Sequence, residues 1–346
     1  MQATQLNFFE KIKRQPSVQV LLKEQSFAQL IADKLSMTID GSYRRIRGET
    51  LLKIDEIEIL CRTFQVSFDE TIGQNAPDVF TFRKAGLGDT NLDFKEYLHN
   101  LFNLLTHIQS RRVEKVIFAC KDIPVFHLYE FPELTLFKMF FWQNTIFNKD
   151  SLKGSKFSLE NISDYQKECL ALARKIAEKY ALIPTMEIWN EETSFSFMKQ
   201  IEYYMETGSF ASEEDGTKMA EKVESYFQHL EEEATRGYKF IHDKPPADRI
   251  QNFDLYFNDL IMIDNIIHIT YEDGNSQTFL VYHNIEYLST EDQLFCDSIQ
   301  SWLETLCKKS EPISNYNEKQ RIKFFNRIRS RLSVMKKKVG LTVGQY

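Results

Sequence analysis

The sequence predicts a mainly α protein with a smaller α+β part, and three observations support this. Its 346 residues include 28 phenylalanines and 15 tyrosines but 12 glycines and eight prolines, a balance that favours packed helices over turn-rich sandwiches. Apolar residues recur at helical spacing through most of the chain. Beyond about residue 250, two runs read as strands around a turn that contains glycine. We therefore expect an all-α N-terminal part, a larger mostly helical body, and a C-terminal segment of a hairpin plus helices.

Two short polar stretches that contain turn-forming residues divide the chain. Residues 73–78 include a glycine and a proline, and residues 244–248 include two consecutive prolines. They separate a head at residues 1–73, a body at residues 79–240 and a C-terminal segment at residues 250–338. A chain of this length can bury a separate core in each part.

The body and the C-terminal segment show these patterns in order along the chain. Helices are predicted at residues 94–108, 132–147, 163–180, 193–206, 212–235, 290–308 and 317–338. Strands are predicted at residues 116–120 and in two runs within residues 266–283. The helix at 132–147 is apolar nearly all round, which is typical of a helix at the centre of a domain. Glu187 and Trp189 are interpreted as the start of a buried helix.

The head begins with a helical pattern that stops abruptly. Leu30 and Leu35 belong to an apolar face that ends at residues 36–38. Thr38 or Asp40 can cap the helix that follows, because a short oxygen-bearing side chain accepts hydrogen bonds from the open amides of a first helical turn. The pattern therefore predicts a helix, a tight turn and a second helix.

The second helix of the head is short and rich in arginine. It is predicted at residues 40–47 and is ended by Gly48. Tyr43 and Ile46 are three residues apart and are expected to face inward. The side chains expected to face outward are those of Arg44, Arg45 and Arg47. They predict either a surface for phosphate and bases or a solvated face paired with nearby carboxylates such as Glu49 and Asp33.

The head resembles the lambda-repressor-like (XRE-type) helix-turn-helix domain of bacterial transcription regulators over about residues 20–72. The resemblance is carried by LIADKLSMTIDGSYRRIRGETLLKIDEIEILCRTFQVSFDETI, residues 30–72, where a glycine follows an arginine-rich second helix. It implies that residues 40–47 are the recognition helix, which lies in the major groove of double-stranded DNA. The implied DNA-binding residues are Thr38, Asp40, Gly41, Ser42, Arg44, Arg45, Arg47 and Lys53.

The charge of the head bears on how it would bind DNA. Arginine donates pairs of hydrogen bonds to guanine and to phosphate. Residues 1–75 contain ten basic and ten acidic residues, so the head as a whole is neutral. A neutral head predicts weak binding by a monomer. We therefore expect a homodimer that presents two recognition helices to two half-sites.

The rest of the chain is expected to sense a signal, to dimerise, or both. A regulator needs a part whose state biases DNA binding, and an unidentified small molecule or peptide would be its effector. The C-terminal helix at 317–338 is strongly basic, whereas residues 212–233 are strongly acidic. That helix is predicted either to dock on the acidic segment or to make a second contact with DNA.

The sequence gives little support for catalysis. It contains no phosphate-binding loop with lysine, no GxSxG and no HExxH. Seven histidines lack metal-ligand spacing, and His127 is interpreted as a hydrogen-bonded structural residue near Asp122 and Glu130. Five widely spaced cysteines indicate reduced thiols rather than disulfides or a zinc site. We therefore expect no catalytic residue, no metal site, no cofactor and no enzymatic activity.

The sequence also predicts a cytoplasmic protein without membrane contact. The start has no apolar run of signal-peptide length, and the apolar run at 134–147 is too short to cross a bilayer. Two other interpretations stay open. A helix-turn-helix that has drifted into a protein-interaction role fits the neutral charge and the position of Ile46, two residues before Gly48 where the family has three. An enzyme in the body is the other, with residues that converge only in the fold.

Overall fold

A computed structural model describes residues 2–72, 79–84, 93–145, 154–244, 251–260, 264–283, 285–315 and 317–342. The chain divides into two compact units, a smaller unit at Met1–Arg83 and a larger unit at Lys84–Tyr346. The polar stretch at 73–78 and most of that at 244–248 lie outside the described residues.

The described elements that lie wholly within the smaller unit are helices. Its helices are α1 (Gln2–Arg14), α2 (Pro16–Leu21), α3 (Phe27–Lys34), α4 (Ile39–Ile46), α5 (Ile54–Phe64) and α6 (Asp69–Ile72). Phe8, Phe9 and Ile12 of α1 form its core together with Leu30 of α3 and Leu60 of α5. A core shared by α1, α3 and α5 leaves one face of the short helix α4 in solvent.

The larger unit combines long helices with a mixed sheet. Its helices are α7 (Phe94–Ser110), α8 (Val125–Leu128), α9 (Pro132–Thr145), α10 (Asp164–Tyr180), α11 (Glu191–Glu206), α12 (Glu213–Arg236), α13 (Gln293–Lys308) and α14 (Glu318–Thr342). Its strands are β1 (Arg83–Lys84), β2 (Val113–Cys120), β3 (Thr185–Trp189), β4 (Phe253–Phe257), β5 (Ile266–Tyr271), β6 (Ser276–His283), β7 (Glu286–Thr290) and β8 (Glu311–Pro312). The helices predicted from periodicity are confirmed to within a few residues at each end.

The sheet has the strand order β1-β7-β6-β5-β2-β3-β4-β8. Strands β2, β3 and β4 run parallel and are joined by helical crossovers, whereas β5, β6 and β7 form an antiparallel meander beside β2. The predicted strand at 116–120 and the predicted hairpin are both confirmed, but they belong to one sheet. The sequence segments 79–240 and 250–338 therefore share a single framework, because β2 takes one neighbour from each.

Helices cover both faces of this sheet. Phe118 of β2 and Leu255 of β4 point into the large core, which also contains apolar residues of α7, α9, α10, α11, α12 and α14. Ile117 and Ala119 point to the opposite face, where they pack with Leu303 of α13. Alternate residues of β2 are thus buried on opposite sides, which explains why the strand reads as a continuous apolar run.

The interpretation of Glu187 and Trp189 as the start of a helix is wrong. Both residues lie on β3, which pairs in parallel with β2 on one side and with β4 on the other. Glu187 accepts hydrogen bonds from the Trp189 indole N–H at 2.9 Å and from the Tyr180 hydroxyl at 2.6 Å. Pairing with two neighbouring strands and a buried polar network decide for a strand here, against the local pattern of five residues.

The basic helix α14 docks on acidic residues of α11 and α12. Arg331 pairs with Glu202 at 2.6 Å, Lys336 with Glu224 at 2.5 Å and Lys338 with Glu206 at 2.7 Å. Arg329 pairs with Glu231. Arg329 and Lys336 thus confirm the predicted docking on residues 212–233, whereas Arg331 and Lys338 pair with α11, outside the predicted segment. Within the described ranges, no helix is both long enough and apolar enough to cross a membrane.

Candidate nucleic-acid interface

The turn between α3 and α4 is tight and capped. Ser36 adopts a left-handed conformation with φ of 50°, and the Met37 N–H donates to the carbonyl of Ala32 at 3.0 Å. Thr38 is the N-cap of α4, and its hydroxyl accepts from the Gly41 N–H at 3.1 Å. The predicted cap at Thr38 is therefore confirmed. The side chain of Asp40 is left exposed in the first turn.

The inner side of α4 differs from the sequence prediction in two residues. Ser42 is completely buried, and its hydroxyl donates to the carbonyl of Ala28 at 2.7 Å, so it holds α4 against α3. Arg45 also faces inward. Tyr43, which was expected inside, is 42% exposed. Ser42 and Arg45 therefore do not lie on the open face where DNA contacts were predicted.

Arg45 is held by a carboxylate of α5. Its Nε and Nη2 atoms donate to the two Glu56 oxygens at 2.9 and 2.7 Å, and its Nη1 donates to the carbonyl of Gly41 at 3.2 Å. The hydrogen bond from Arg45 to Glu56 raises the pKa of the guanidinium. Burial raises the pKa of Glu56, but the bonds from Arg45 and the Lys53 N–H outweigh it, so that pKa lies below its ordinary value. The pair fixes the rotation of α4 about its axis.

Gln5 of α1 ties down the segment that follows α4. Its amide nitrogen donates to the carbonyls of Arg45 at 2.6 Å and Thr50 at 2.9 Å, and its amide oxygen accepts from the Leu52 N–H at 2.7 Å. A turn with φ of +76° at Gly48 precedes this segment. The side chain of Gln5 is buried, so this short polar network replaces apolar packing under the loop.

The sequence did not identify Gln5 and Glu56 as residues that position α4. Glu56 carried a readable signal, because its side chain accepts from the Lys53 N–H at 3.0 Å, three residues earlier. That spacing is a capping pattern for α5. Gln5 carries no such local signal, since its partners are 40 or more positions away.

The outer face of α4 presents a mixed set of side chains to solvent. Its exposed residues are Ile39, Asp40, Tyr43, Arg44 and Arg47, which recur at helical spacing. Arg44 contacts Asp40 at 3.1 Å and Arg47 contacts Glu49 at 3.6 Å, with all four side chains more than half exposed. The Arg47 guanidinium also lies 5.5 Å from the Tyr43 ring centroid.

The exposed ion pairs on α4 are weak. A pair of this kind contributes about 0–1 kcal/mol, because water and salt screen it. A phosphate or a base edge can therefore replace either carboxylate. Lys53, at the N-cap of α5, is exposed as well. Gly41 lies on the half-buried side of α4, where a β-carbon would lie 3.2 Å from the Thr38 hydroxyl oxygen.

Comparison of the chain with protein-family models, with curated proteins and with solved structures gives no significant match. The functional conclusion therefore depends on the residues and their geometry. The smaller unit presents a short helix that is fixed from beneath by hydrogen bonds and carries two exposed arginines. Such an arrangement can donate hydrogen bonds in fixed directions to an acidic surface.

Proposed function

We propose that this protein is a DNA-binding transcription regulator in which α3 and α4 form a helix-turn-helix. One observation carries the proposal: the outer face of α4 holds Arg44 and Arg47, whose only carboxylate contacts within the described residues are weak and exposed. The helix itself is fixed beneath by Ser42 and Arg45. Rigid donors are what base recognition requires, since a bidentate contact discriminates between bases only when its direction is fixed.

The proposed docking follows from the exposed side chains. The outer face of α4 enters the major groove, where Arg44 and Arg47 donate to base edges or to the adjoining phosphates. Lys53 contacts a phosphate. Thr38 and Gly41 bring the N-terminal turn of α4 close to the DNA backbone, where a helix N-terminus favours negative charge. Arg45 and Ser42 hold the reading helix in place instead of reading bases.

The larger unit supplies the regulatory part of this proposal. The smaller unit offers few cations, so a homodimer with two copies of α4 would double the number of contacts. We assign dimerisation and the response to an unidentified small-molecule or peptide effector to the larger unit. Such a regulator acts where the chromosome is, which in a bacterium is the cytoplasm.

The experiment that tests this proposal is the selection of bound sequences from a random duplex pool at moderate salt. Three proteins are compared: the unchanged chain, Arg44→Ala/Arg47→Ala, and Arg62→Ala. Arg62 is an exposed arginine of α5 with a carboxylate partner of its own at 2.8 Å, and it serves as the matched control. We expect the unchanged chain and the control to enrich a two-fold related motif and the double variant to enrich none. Enrichment by no protein would refute DNA recognition.

A second candidate function is protein interaction, and one observation favours it. Apolar side chains around α4 and α5 are exposed: Ile54 by 86%, Ile39 by 46%, Leu51 by 45% and Ile59 by 42%. Exposed apolar residues at this density are unusual on a face that only meets DNA. If the selection enriches no DNA, cross-linking from a photoreactive residue placed at Ile54 is the measurement that follows.

A further inference from the structure

A second polar cluster lies in the core of the larger unit, and the proposed DNA contact does not use it. Helix α12 places Tyr226, His229 and Glu233 on one side, at positions i, i+3 and i+7. Glu130, just after α8, faces them. All four side chains are buried, with exposed fractions of 1%, 5%, 0% and 7% for Tyr226, His229, Glu233 and Glu130.

The ligand-type atoms of this cluster converge on one point. Nε2 of His229 lies 3.3 Å from Oε2 of Glu130 and 3.6 Å from Oε1 of Glu233. The three atoms all lie within 4.8 Å of one another. The carbonyl oxygen of Phe240 is 2.9 Å from the same Nε2. One nitrogen and three oxygens therefore surround a small volume. A carbonyl oxygen can only accept, so Nε2 carries a proton in this arrangement, and a bound metal ion would take the place of that proton.

Backbone amides hold the two carboxylates in this orientation. The His242 N–H donates to Oε2 of Glu130 at 2.8 Å, and the Phe240 N–H donates to Oε1 of Glu233 at 3.0 Å. Metal-binding carboxylates in proteins are commonly oriented by such outer hydrogen bonds. The segment that contains Phe240 and His242 thus organises both ligands and adds a carbonyl oxygen of its own.

The spacing suits a small divalent ion. Zinc binds histidine nitrogen and carboxylate oxygen at about 2.0–2.1 Å in a tetrahedron, whose ligand atoms are then roughly 3.3–3.4 Å apart. The observed 3.3 and 3.6 Å are close to this edge, whereas the 2.9 Å from Nε2 to the Phe240 carbonyl oxygen is shorter than it. With a protonated imidazole, Glu130, His229 and Glu233 carry a net charge of −1. A divalent ion with a neutral imidazole brings the same three groups to zero.

An independent observation points to a group from outside the chain. Oε2 of Glu233 and the hydroxyl of Tyr226 are buried and have no hydrogen-bond partner among the described residues. Buried polar atoms are almost always paired in native proteins. Burial raises the pKa of the Tyr226 hydroxyl most, and the charges of Glu187, Glu233 and Glu130 raise it further. Both atoms are available to a metal ion or to a water bound to it.

The neighbouring groups are occupied elsewhere. His127 lies 2.8 Å from Glu187, with its other ring nitrogen 3.8 Å from Oε2 of Glu233. Glu187 also accepts from Tyr180 and Trp189, so each of its oxygens already accepts a hydrogen bond. Lys239 donates to the carbonyl of Ile183 at 2.7 Å rather than to a carboxylate. Glu130, His229 and Glu233 therefore remain as the groups that can exchange a present contact for a metal ion.

We propose that Glu130, His229 and Glu233, with the carbonyl oxygen of Phe240, bind one divalent first-row transition ion such as Zn²⁺ or Mn²⁺. One imidazole with oxygen ligands and no thiolate favours these ions over Cu⁺. His242, an exposed residue with its ring centroid 5.1 Å from that of His229, marks the side from which the ion enters. This set could not be recognised from sequence spacing, because Glu130 is about a hundred residues from the His-x-x-x-Glu pair on α12.

The test uses the full chain, stripped with a chelator and then dialysed against Zn²⁺. Bound metal is counted by mass spectrometry, and affinity is measured by competition with a chelating dye. The variants are His229→Gln and Glu233→Gln, which keep shape and hydrogen bonding. His268→Gln is the control, because His268 is an equally buried histidine on β5. We expect one Zn²⁺ per chain in the unchanged protein and the control, and at least a 100-fold weaker affinity in both variants.

Two results would overturn the proposal. One is a chain that retains no Zn²⁺ or Mn²⁺ after dialysis; the cluster is then a network of ion pairs. The other is His229→Gln binding metal as tightly as the unchanged chain. If the variants fail to fold, X-ray absorption of the unchanged protein decides instead. A shell of one imidazole with oxygens supports the site, and a shell with sulfur refutes it.

Discussion

Helices α4 and α14 are both short of acidic residues and rich in cations, yet they use their cations differently. On α4, one arginine is turned inward against Glu56, and two lie in solvent with weak partners. On α14, four cations reach carboxylates of α11 and α12. A run of basic residues therefore predicts a binding surface only where it is not docked against carboxylates of neighbouring helices.

The difference is set by residues outside each helix. Glu56 pairs with Arg45 rather than with Arg44 or Arg47, because it lies at the first turn of α5, beneath α4. Glu202, which lies on α11 and is 5% exposed, pairs with Arg331 in the same way. The burial of the opposing carboxylate therefore predicts which cation is paired better than the number of cations on the helix does.

The largest effect is expected on DNA affinity. Arg44→Ala/Arg47→Ala should weaken binding to the selected site by about 1000-fold, because each arginine contact with a base is worth roughly 1–3 kcal/mol. The matched change on α14, Arg329→Ala/Lys336→Ala, should leave affinity within about twofold. Fluorescence anisotropy at fixed salt measures both. Equal losses in the two variants would show that α14 contacts DNA and would remove the contrast between the helices.

The next effect is expected on the stability of the smaller unit. Arg45→Ala removes the guanidinium that donates to both oxygens of the buried Glu56 carboxylate. It should lower the free energy of unfolding by about 3 kcal/mol, the order observed when one partner of a buried pair is removed. Arg44→Ala should cost less than about 0.5 kcal/mol. Hydrogen exchange of the α4 and α5 amides reports the local free energy of opening. Similar costs for the two variants would mean that Arg45 has no special role.

A third cation sharpens the comparison, because it is buried and contacts no carboxylate among the described residues. Lys138 of α9 donates to the Gln200 side-chain oxygen at 3.0 Å and lies beside the rings of Phe141, Trp142 and Phe197. Burial lowers the pKa of Lys138 from 10.5 to about 8, although the charge of Asp122 raises it slightly. Between these values the unfolded chain holds the proton and the folded chain does not, so this residue makes unfolding harder as pH rises.

Lys138→Met should reveal that dependence. The free energy of unfolding of the unchanged chain, minus that of the variant, should rise by about 2 kcal/mol between pH 7.5 and pH 10. The subtraction removes titrating groups that both proteins share. Urea unfolding at several pH values supplies the numbers. A difference that stays flat with pH, or falls, would mean that the buried ammonium is not destabilised.

The smallest effects are expected on α14 itself. Lys336→Ala removes a half-exposed pair with Glu224 and should cost about 0.2–1 kcal/mol, less in 0.5 M salt. Arg331→Ala should cost more, about 1–2 kcal/mol, because it strips a buried carboxylate, Glu202, of a close partner. Urea unfolding at low and high salt separates the two. The ranking would be wrong if Lys336→Ala proved the more costly change.

The sequence predicted most of the helices but not the face that α4 presents. Long helices such as α7 and α12 repeat their apolar pattern over many turns, which fixes both extent and orientation. Helix α4 has eight residues. Two turns cannot decide by pattern whether Tyr43 or Arg45 faces inward, and the deciding group, Glu56, lies on another helix.

The sequence predicted too few strands of the sheet for a similar reason. Strands β3 and β4 have five residues each, too few for the spacing of their apolar residues to be distinguished from the start of a helix. Their pairing depends on β2, many residues earlier. The cluster of Glu130, His229 and Glu233 depends on the same distant pairings. Sequence spacing can indicate such a site only where its residues share one element, as His229 and Glu233 do.

The position of β2 has a consequence for how the chain is made. Val116 pairs with Ile269, so this central strand lacks one neighbour until the ribosome has delivered β5. Until then an apolar edge is open to other nascent chains, because long-range pairings form late and slowly. The helices of the smaller unit need partners only within the first 83 residues and can close while synthesis continues. We therefore expect chaperone dependence to rest with the larger unit and to fall sharply once residue 271 has emerged.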